Sequence, residues 1–128
     1  MRVINVEDDI FKHNDIKRAL EVLGLKDITL VKNEKDAIKL IIESVNSDNP
    51  FNLVISDMQF PLFAGGGKDN NAGFKLIDDL KDNDVDIPVI VCSSFNLNIP
   101  DIIGCVYYSK NTDLDVEFRK LLQKLPGK

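Results

Sequence analysis

Four short apolar runs in this sequence end in residues that can bind or transfer charge. Glu7, Asp8 and Asp9 follow the run from Val3 to Val6, Asp57 follows Leu53 to Ile55, Ser93 and Ser94 follow Val89 to Cys92, and Ser109 and Lys110 follow Val106 to Tyr108. Carboxylates gathered at a buried edge repel one another unless a cation neutralises them, and hard oxygen donors of this kind suit Mg²⁺. A lysine aimed into the same pocket adds fixed positive charge and a hydroxyl adds a donor, so the set could hold the three oxygens of a phosphoryl group. Each residue alone is an ordinary loop residue. Their joint placement at the ends of four runs is what points to a site.

Such residues meet only if the runs are neighbouring strands of one sheet. Five apolar runs, Val3 to Val6, Ile28 to Val31, Leu53 to Ile55, Val89 to Cys92 and Val106 to Tyr108, alternate with amphipathic stretches, the pattern of strand–helix–strand crossovers. Their hydrophobicity is continuous rather than alternating, which indicates a parallel sheet buried on both faces. In an open sheet of this kind the ligand site lies beyond the carboxyl ends of the strands, where the strand order reverses. The expected fold is therefore α/β, a doubly wound five-stranded parallel sheet with flanking helices.

The first helix is expected from about Phe11 to Leu23, burying Ile16, Ala19, Leu20 and Leu23, with Gly24 as its C-terminal stop. The second runs from Glu34 to about Val45 behind the N-cap Asn33 and buries Ala37, Ile38, Ile41 and Val45. A third presents Phe74, Ile77 and Leu80, and a last one presents Leu114, Phe118, Leu121, Leu122 and Leu125 before Pro126-Gly127 ends it. Helix 4, in the stretch after Cys92, is expected to be short or irregular, because Pro100 interrupts it. Between Phe60 and Gly73 three consecutive glycines and several polar residues predict a long mobile loop, and its position just after Asp57 predicts a gate over the pocket.

The 128 residues make one domain the expectation, spanning the whole chain. Hydrophobic residues at 44% and charged residues at 29% are ordinary globular composition, so the chain should fold on its own. The net charge of -5 disfavours direct nucleic-acid binding. Cys92 and Cys105 lie in apolar runs without metal or redox spacing and read as reduced thiols. The N-terminus turns acidic within MRVINVEDD, leaving no room for a signal peptide, and no apolar run approaches the roughly 20 residues that cross a bilayer. A cytoplasmic location with no membrane partner is the expectation.

The segments INVEDD, LVISDMQFP, IPVIVCSS and VYYSKN together resemble the receiver domain of two-component response regulators, over essentially the whole chain. That resemblance implies a flavodoxin-like sheet of strand order 2-1-3-4-5 and a phosphoacceptor function in a phosphorelay rather than an enzyme. It implies Asp57 as the phosphorylated residue, Mg²⁺ held directly by Asp8 and Asp57 and through water by Glu7, and a further ligand in the main-chain carbonyl of Gln59. It assigns phosphoryl contacts to Lys110 and Ser93, and the paired switch to Ser93 and Tyr107. Its partners would be a histidine kinase or phosphotransfer protein and an unidentified output protein. Asn111 stands where the family usually has proline, the loop after Asp57 is longer than usual, and helix 4 is shortened.

Two other readings compete. One is a receiver-like binding module that is never phosphorylated. The other is a Mg²⁺-dependent phosphohydrolase with an aspartate nucleophile; enzymes of the haloacid dehalogenase type carry D-x-D there, whereas this chain has Asp57-Met58-Gln59 and lacks the second acid. His13 is expected on the solvated side of the first helix. The run Gly65-Gly66-Gly67-Lys68 is followed by Asp69 rather than Ser or Thr and is not a phosphate-binding P-loop.

Overall fold

The strands carry apolar side chains on both faces, and each face recruits its own pair of helices. A computed structural model describes residues 1–125. Its elements are β1 (Arg2–Val6), α1 (Ile10–Val22), β2 (Asp27–Val31), α2 (Glu34–Val45), β3 (Leu53–Ser56), β4 (Phe60–Pro61), β5 (Lys68–Asp69), α3 (Ala72–Asp82), β6 (Val89–Ser93), β7 (Gly104–Tyr107) and α4 (Leu114–Leu122). On one face Ile4, Val6, Val54, Val89 and Val91 pack against Ala37 and Ile41 of α2 and Leu76, Ile77 and Leu80 of α3. On the other Val3, Leu53, Ile55, Ile90, Cys92 and Val106 pack against Ile16, Ala19 and Leu20 of α1 and Phe118 of α4.

The main sheet runs β2-β1-β3-β6-β7, with every pairing parallel. This is the doubly wound 2-1-3-4-5 order, because β4 and β5 form a separate hairpin and β6 and β7 are the fourth and fifth strands of the sheet. The chain is thus a flavodoxin-like α/β fold with four helices among the described residues. The order reverses between β1 and β3, so the loops after those two strands border the expected ligand crevice.

Helix ends follow the sequence closely. Asn33 caps α2 by accepting from the Asp36 amide at 2.9 Å. Gly24, at φ 85, terminates α1 in the left-handed region, while the Leu25 amide reaches back to the Leu20 carbonyl at 2.9 Å. The Pro126-Gly127 stop lies outside the described residues.

Five expectations are corrected. No helix forms between β6 and β7: residues 94–103 are turns and bends, with Pro100 lacking an amide hydrogen and Asp101 at φ 65, both poor for a helix. The segment after Asp57 is not an open loop but the antiparallel hairpin β4–β5, anchored by the fully buried Phe60. Phe74 is exposed, because α3 starts at Ala72 and turns Leu76, Ile77 and Leu80 inward. Val45 is also exposed, the buried stripe of α2 ending with Ile41 and Ser44.

His13 is buried rather than solvated. Its Nδ1 lies 2.8 Å from Asn5 Oδ1, and Asn5 Nδ2 donates to the Ile55 carbonyl at 2.9 Å, which leaves the Asn oxygen as acceptor and puts the proton on His13 Nδ1. Burial, with Lys17 nearby, lowers its pKa and keeps the ring neutral.

Glu34, the first residue of α2, is almost fully buried, and burial together with the neighbouring Asp79 carboxylate raises its pKa to about 7 from 4.5. A carboxyl whose pKa rises on folding contributes stability fully below about 4.5 and loses it as pH climbs through about 7. Glu34→Gln should therefore gain stability relative to the parent as pH rises from 5 to 8, by on the order of 1–2 kcal/mol. Urea midpoints at the two pH values measure this; an equal offset at both would show that Glu34 titrates normally.

Candidate functional site

The sheet register places the acidic residues side by side. Beyond the end of β1 the Glu7 amide still donates to Val31 O at 2.9 Å, and the Asp57 amide donates to Val6 O at 3.1 Å, so Glu7, Asp8 and Asp57 share the crevice edge. Carboxylate oxygens of the three lie within 4.8 Å of one another. Glu7 is sealed from solvent, while the Asp57 and Asp8 side chains keep 15% and 22% of their surface exposed, enough to leave an open side for a ligand.

Asp8 Oδ1 is buried without a hydrogen-bond partner, and burial with the adjacent Asp57 charge raises the Glu7 pKa to about 7. Three carboxylates, two of them with a buried oxygen that lacks a hydrogen-bond partner, Glu7 Oε1 and Asp8 Oδ1, fit a hard divalent cation, which would satisfy Asp8 and relieve the repulsion felt by Glu7. Asp57 Oδ1 accepts from the Met58 amide at 2.7 Å, which fixes the carboxylate plane. Gln59, half-buried, lies in the chain between Asp57 and β4.

Ser93 closes β6, buried at the strand end; its Oγ accepts from the Phe95 amide at 3.1 Å and its carbonyl accepts from the Tyr108 amide at 2.7 Å. Tyr107 pairs with Ser93 in register and is half exposed. Lys110 is exposed, lines a groove with Asp15, Arg18 and Ser109, and makes no ion pair among the described residues.

A different lysine occupies the pocket. Lys12, in the first turn of α1, places Nζ 3.1 Å from Glu7 Oε1 and 3.2 Å from Asp57 Oδ2, and donates to Cys92 O at 2.7 Å. Asp9 caps this helix by accepting from the Phe11 and Lys12 amides, which sets the turn that carries Lys12. Burial works against the ammonium, but the Glu7 and Asp57 charges outweigh it and hold its pKa above the ordinary lysine value. The sequence carries one hint of it, which the packing of α1 decides: Lys12 is four residues before Ile16, on the buried stripe continued by Ala19 and Leu20.

The hairpin brings a second cation to the edge, with Lys68 Nζ 3.9 Å from Asp8 Oδ2, in a largely exposed pair. An exposed pair at this distance contributes at most about 1 kcal/mol, so a tighter-binding ion at Asp8 could displace it.

No protein-family model matches the chain and no curated protein matches it. Solved structures do. The signal receiver domain of a Luxo repressor protein from Vibrio parahaemolyticus is 20% identical and superposes with a TM-score of 0.71 over 95% of this chain and 87% of that one. A two-component response regulator from Legionella pneumophila is 18% identical, TM-score 0.67, covering 98% and 99%. A variant receiver domain of the histidine kinase CKI1 from Arabidopsis thaliana is 17% identical, TM-score 0.66, covering 96% and 90%. The structural neighbours are thus receiver domains of two-component signalling, and the likeness shows that this chain shares their fold.

Proposed function

We propose that this chain is the phosphoacceptor domain of a two-component phosphorelay, taking one phosphoryl group on Asp57 beside a Mg²⁺ ion. The observation that carries it is the Asp57 carboxylate itself. It lies at the open side of a crevice, its plane is fixed by the Met58 amide, and it is flanked by two further carboxylates and a buried ammonium. Glu7, Asp8, Asp57 and the main-chain carbonyl of Gln59 would hold the ion. When bound, Mg²⁺ supplies neutralising charge for the oxygens of the transferring group.

An Asp57 oxygen attacks the phosphorus of a phosphohistidine on a histidine kinase or phosphotransfer protein, or of a small phosphodonor. The new O–P bond forms as the bond to the leaving group breaks: from phosphohistidine the P–N bond, whose electron pair stays on the imidazole nitrogen and is protonated by solvent, and from acetyl phosphate the P–O bond, whose electron pair leaves with acetate. The added charge, roughly -1.5 to -2, then draws the Ser93 hydroxyl from the Phe95 amide toward the phosphoryl oxygens. Tyr107, paired with Ser93 and half exposed, would carry that change to the surface met by the output protein.

Intact mass after incubation with acetyl phosphate and Mg²⁺, or with a phosphorylated histidine partner, tests this reading. One phosphoryl group gained, and lost when Mg²⁺ is chelated beforehand, is the expected result. Steady release of phosphate with no covalent adduct would make the chain a phosphohydrolase, and an unreactive chain would make it a binding module.

A further inference from the structure

Lys12 is buried although a buried ammonium gains nothing in stability over a well-packed apolar side chain. It is the only lysine described in contact with Asp57, and its ammonium faces three oxygens, in ion pairs with Glu7 Oε1 at 3.1 Å and Asp57 Oδ2 at 3.2 Å and in a hydrogen bond to Cys92 O at 2.7 Å. The Tyr108 ring, 5.3 Å from Nζ to its centroid, borders the ammonium, and the Tyr108 hydroxyl is tied to Asp15 on the same helix. The cap at Asp9 and this aromatic wall, supplied by Tyr108 just after β7, hold Lys12 in place.

We propose that Lys12 is a catalytic residue of this site, a cation that contacts the phosphoryl group as it is transferred to Asp57. The inference rests on the phosphoacceptor reading. Before transfer Nζ holds Asp57 Oδ2 and so orients the nucleophile. As the O–P bond forms, the Asp57 carboxylate gives up its charge while the phosphoryl oxygens arrive with theirs. The ammonium, already desolvated, then transfers a hydrogen bond to a phosphoryl oxygen without solvent reorganisation. The charge that Lys12 adds to the pocket thus comes from α1, with Tyr108 just after β7 as its wall.

Three proteins are compared: the parent, Lys12→Met and Lys12→Gln, each labelled with acetyl phosphate in saturating Mg²⁺ and followed by intact mass. Lys12→Met is expected to label roughly 100-fold more slowly than the parent. Mg²⁺ affinity, measured separately, should be equal or higher in Lys12→Met, because the ammonium no longer competes for Glu7 and Asp57; loss of both labelling and Mg²⁺ binding would instead mark Lys12 as a structural prop and overturn the proposal. Parent-rate labelling of Lys12→Met also overturns it while leaving the phosphoacceptor reading intact. A parent that takes no label from acetyl phosphate or from a phosphorylated histidine partner sinks both. If Lys12→Met does not fold, Lys12→Gln, which keeps a donor but no charge, is judged by the same criterion.

Discussion

Asp57→Asn is expected to take up no phosphoryl group from acetyl phosphate or from a phosphorylated histidine partner, whereas the parent should take up one. The amide matches the carboxylate in shape, so its oxygen can still accept from the Met58 amide at the Oδ1 position, 2.7 Å away. What it loses is nucleophilicity: a neutral amide oxygen does not displace a phosphoryl leaving group at a useful rate. The fold should survive, because the substitution removes one of three crowded negative charges, and the Glu7 pKa, raised first by burial and also by Asp57, falls back toward the ordinary range. The cost is the ion pair of Lys12 with Asp57 Oδ2, which is partly offset because Glu7 Oε1 and Cys92 O continue to face the ammonium. Intact mass and circular dichroism on the same sample measure the two halves of this expectation. A mass gain that persists in Asp57→Asn would place the acceptor elsewhere in the chain.

Gly73→Ala should damage the same site from a distance in sequence. A methyl group at Gly73 would meet Asp57 O at 2.6 Å, Met58 Sδ at 2.7 Å and Met58 Cα at 2.9 Å. The thioether can swing aside, but the two backbone atoms cannot move without displacing Asp57. Alanine is better than glycine in a helix by about 1 kcal/mol, and forcing a methyl into a packed interface costs about 1–3 kcal/mol, so the clash wins. The Gly73 amide also donates to Met58 O at 3.0 Å, a bond that the same displacement would stretch. The expected result is a protein destabilised by up to about 2 kcal/mol whose labelling slows more than its stability loss explains, since the chain moves at Asp57. Urea unfolding and labelling rates measured together decide it; a variant as stable and as fast as the parent would show that α3 shifts as a rigid body and leaves Asp57 in place.

Much of this molecule was determined by local patterns that tertiary context had no reason to override. Five apolar runs of strand length and the i, i+3, i+4 stripes of α1, α2 and α4 fixed a parallel sheet covered on both sides, because a strand that is apolar on both faces has to be buried on both. Asn33 and Gly24 ended their helices as their side-chain chemistry and backbone freedom require. The acidic members of the site were legible for the same reason: once Val6 and Leu53 to Ile55 are parallel neighbours, Glu7, Asp8 and Asp57 must share an edge.

What lay beyond the sequence depended on orientation. Which side of α1 faces the sheet near its N-terminus is decided by packing around Ile16 and Leu20, and that rotation buries His13 on Asn5 and drives Lys12 into the pocket, although both residues are usually solvated. Phe74 faces outward because α3 starts at Ala72, where Gly73 can touch the Asp57 backbone. The glycine-rich segment reads as open loop because only two pairs, Phe60 with Asp69 and Pro61 with Lys68, form its hairpin, and the burial of Phe60 that anchors them exists only in the folded core. The sequence by itself thus determined the sheet, its edge and the acids upon it. The tertiary structure decided which cation stands among those acids, because a charge four residues before a buried isoleucine can be placed only when the helix has a surface to pack against.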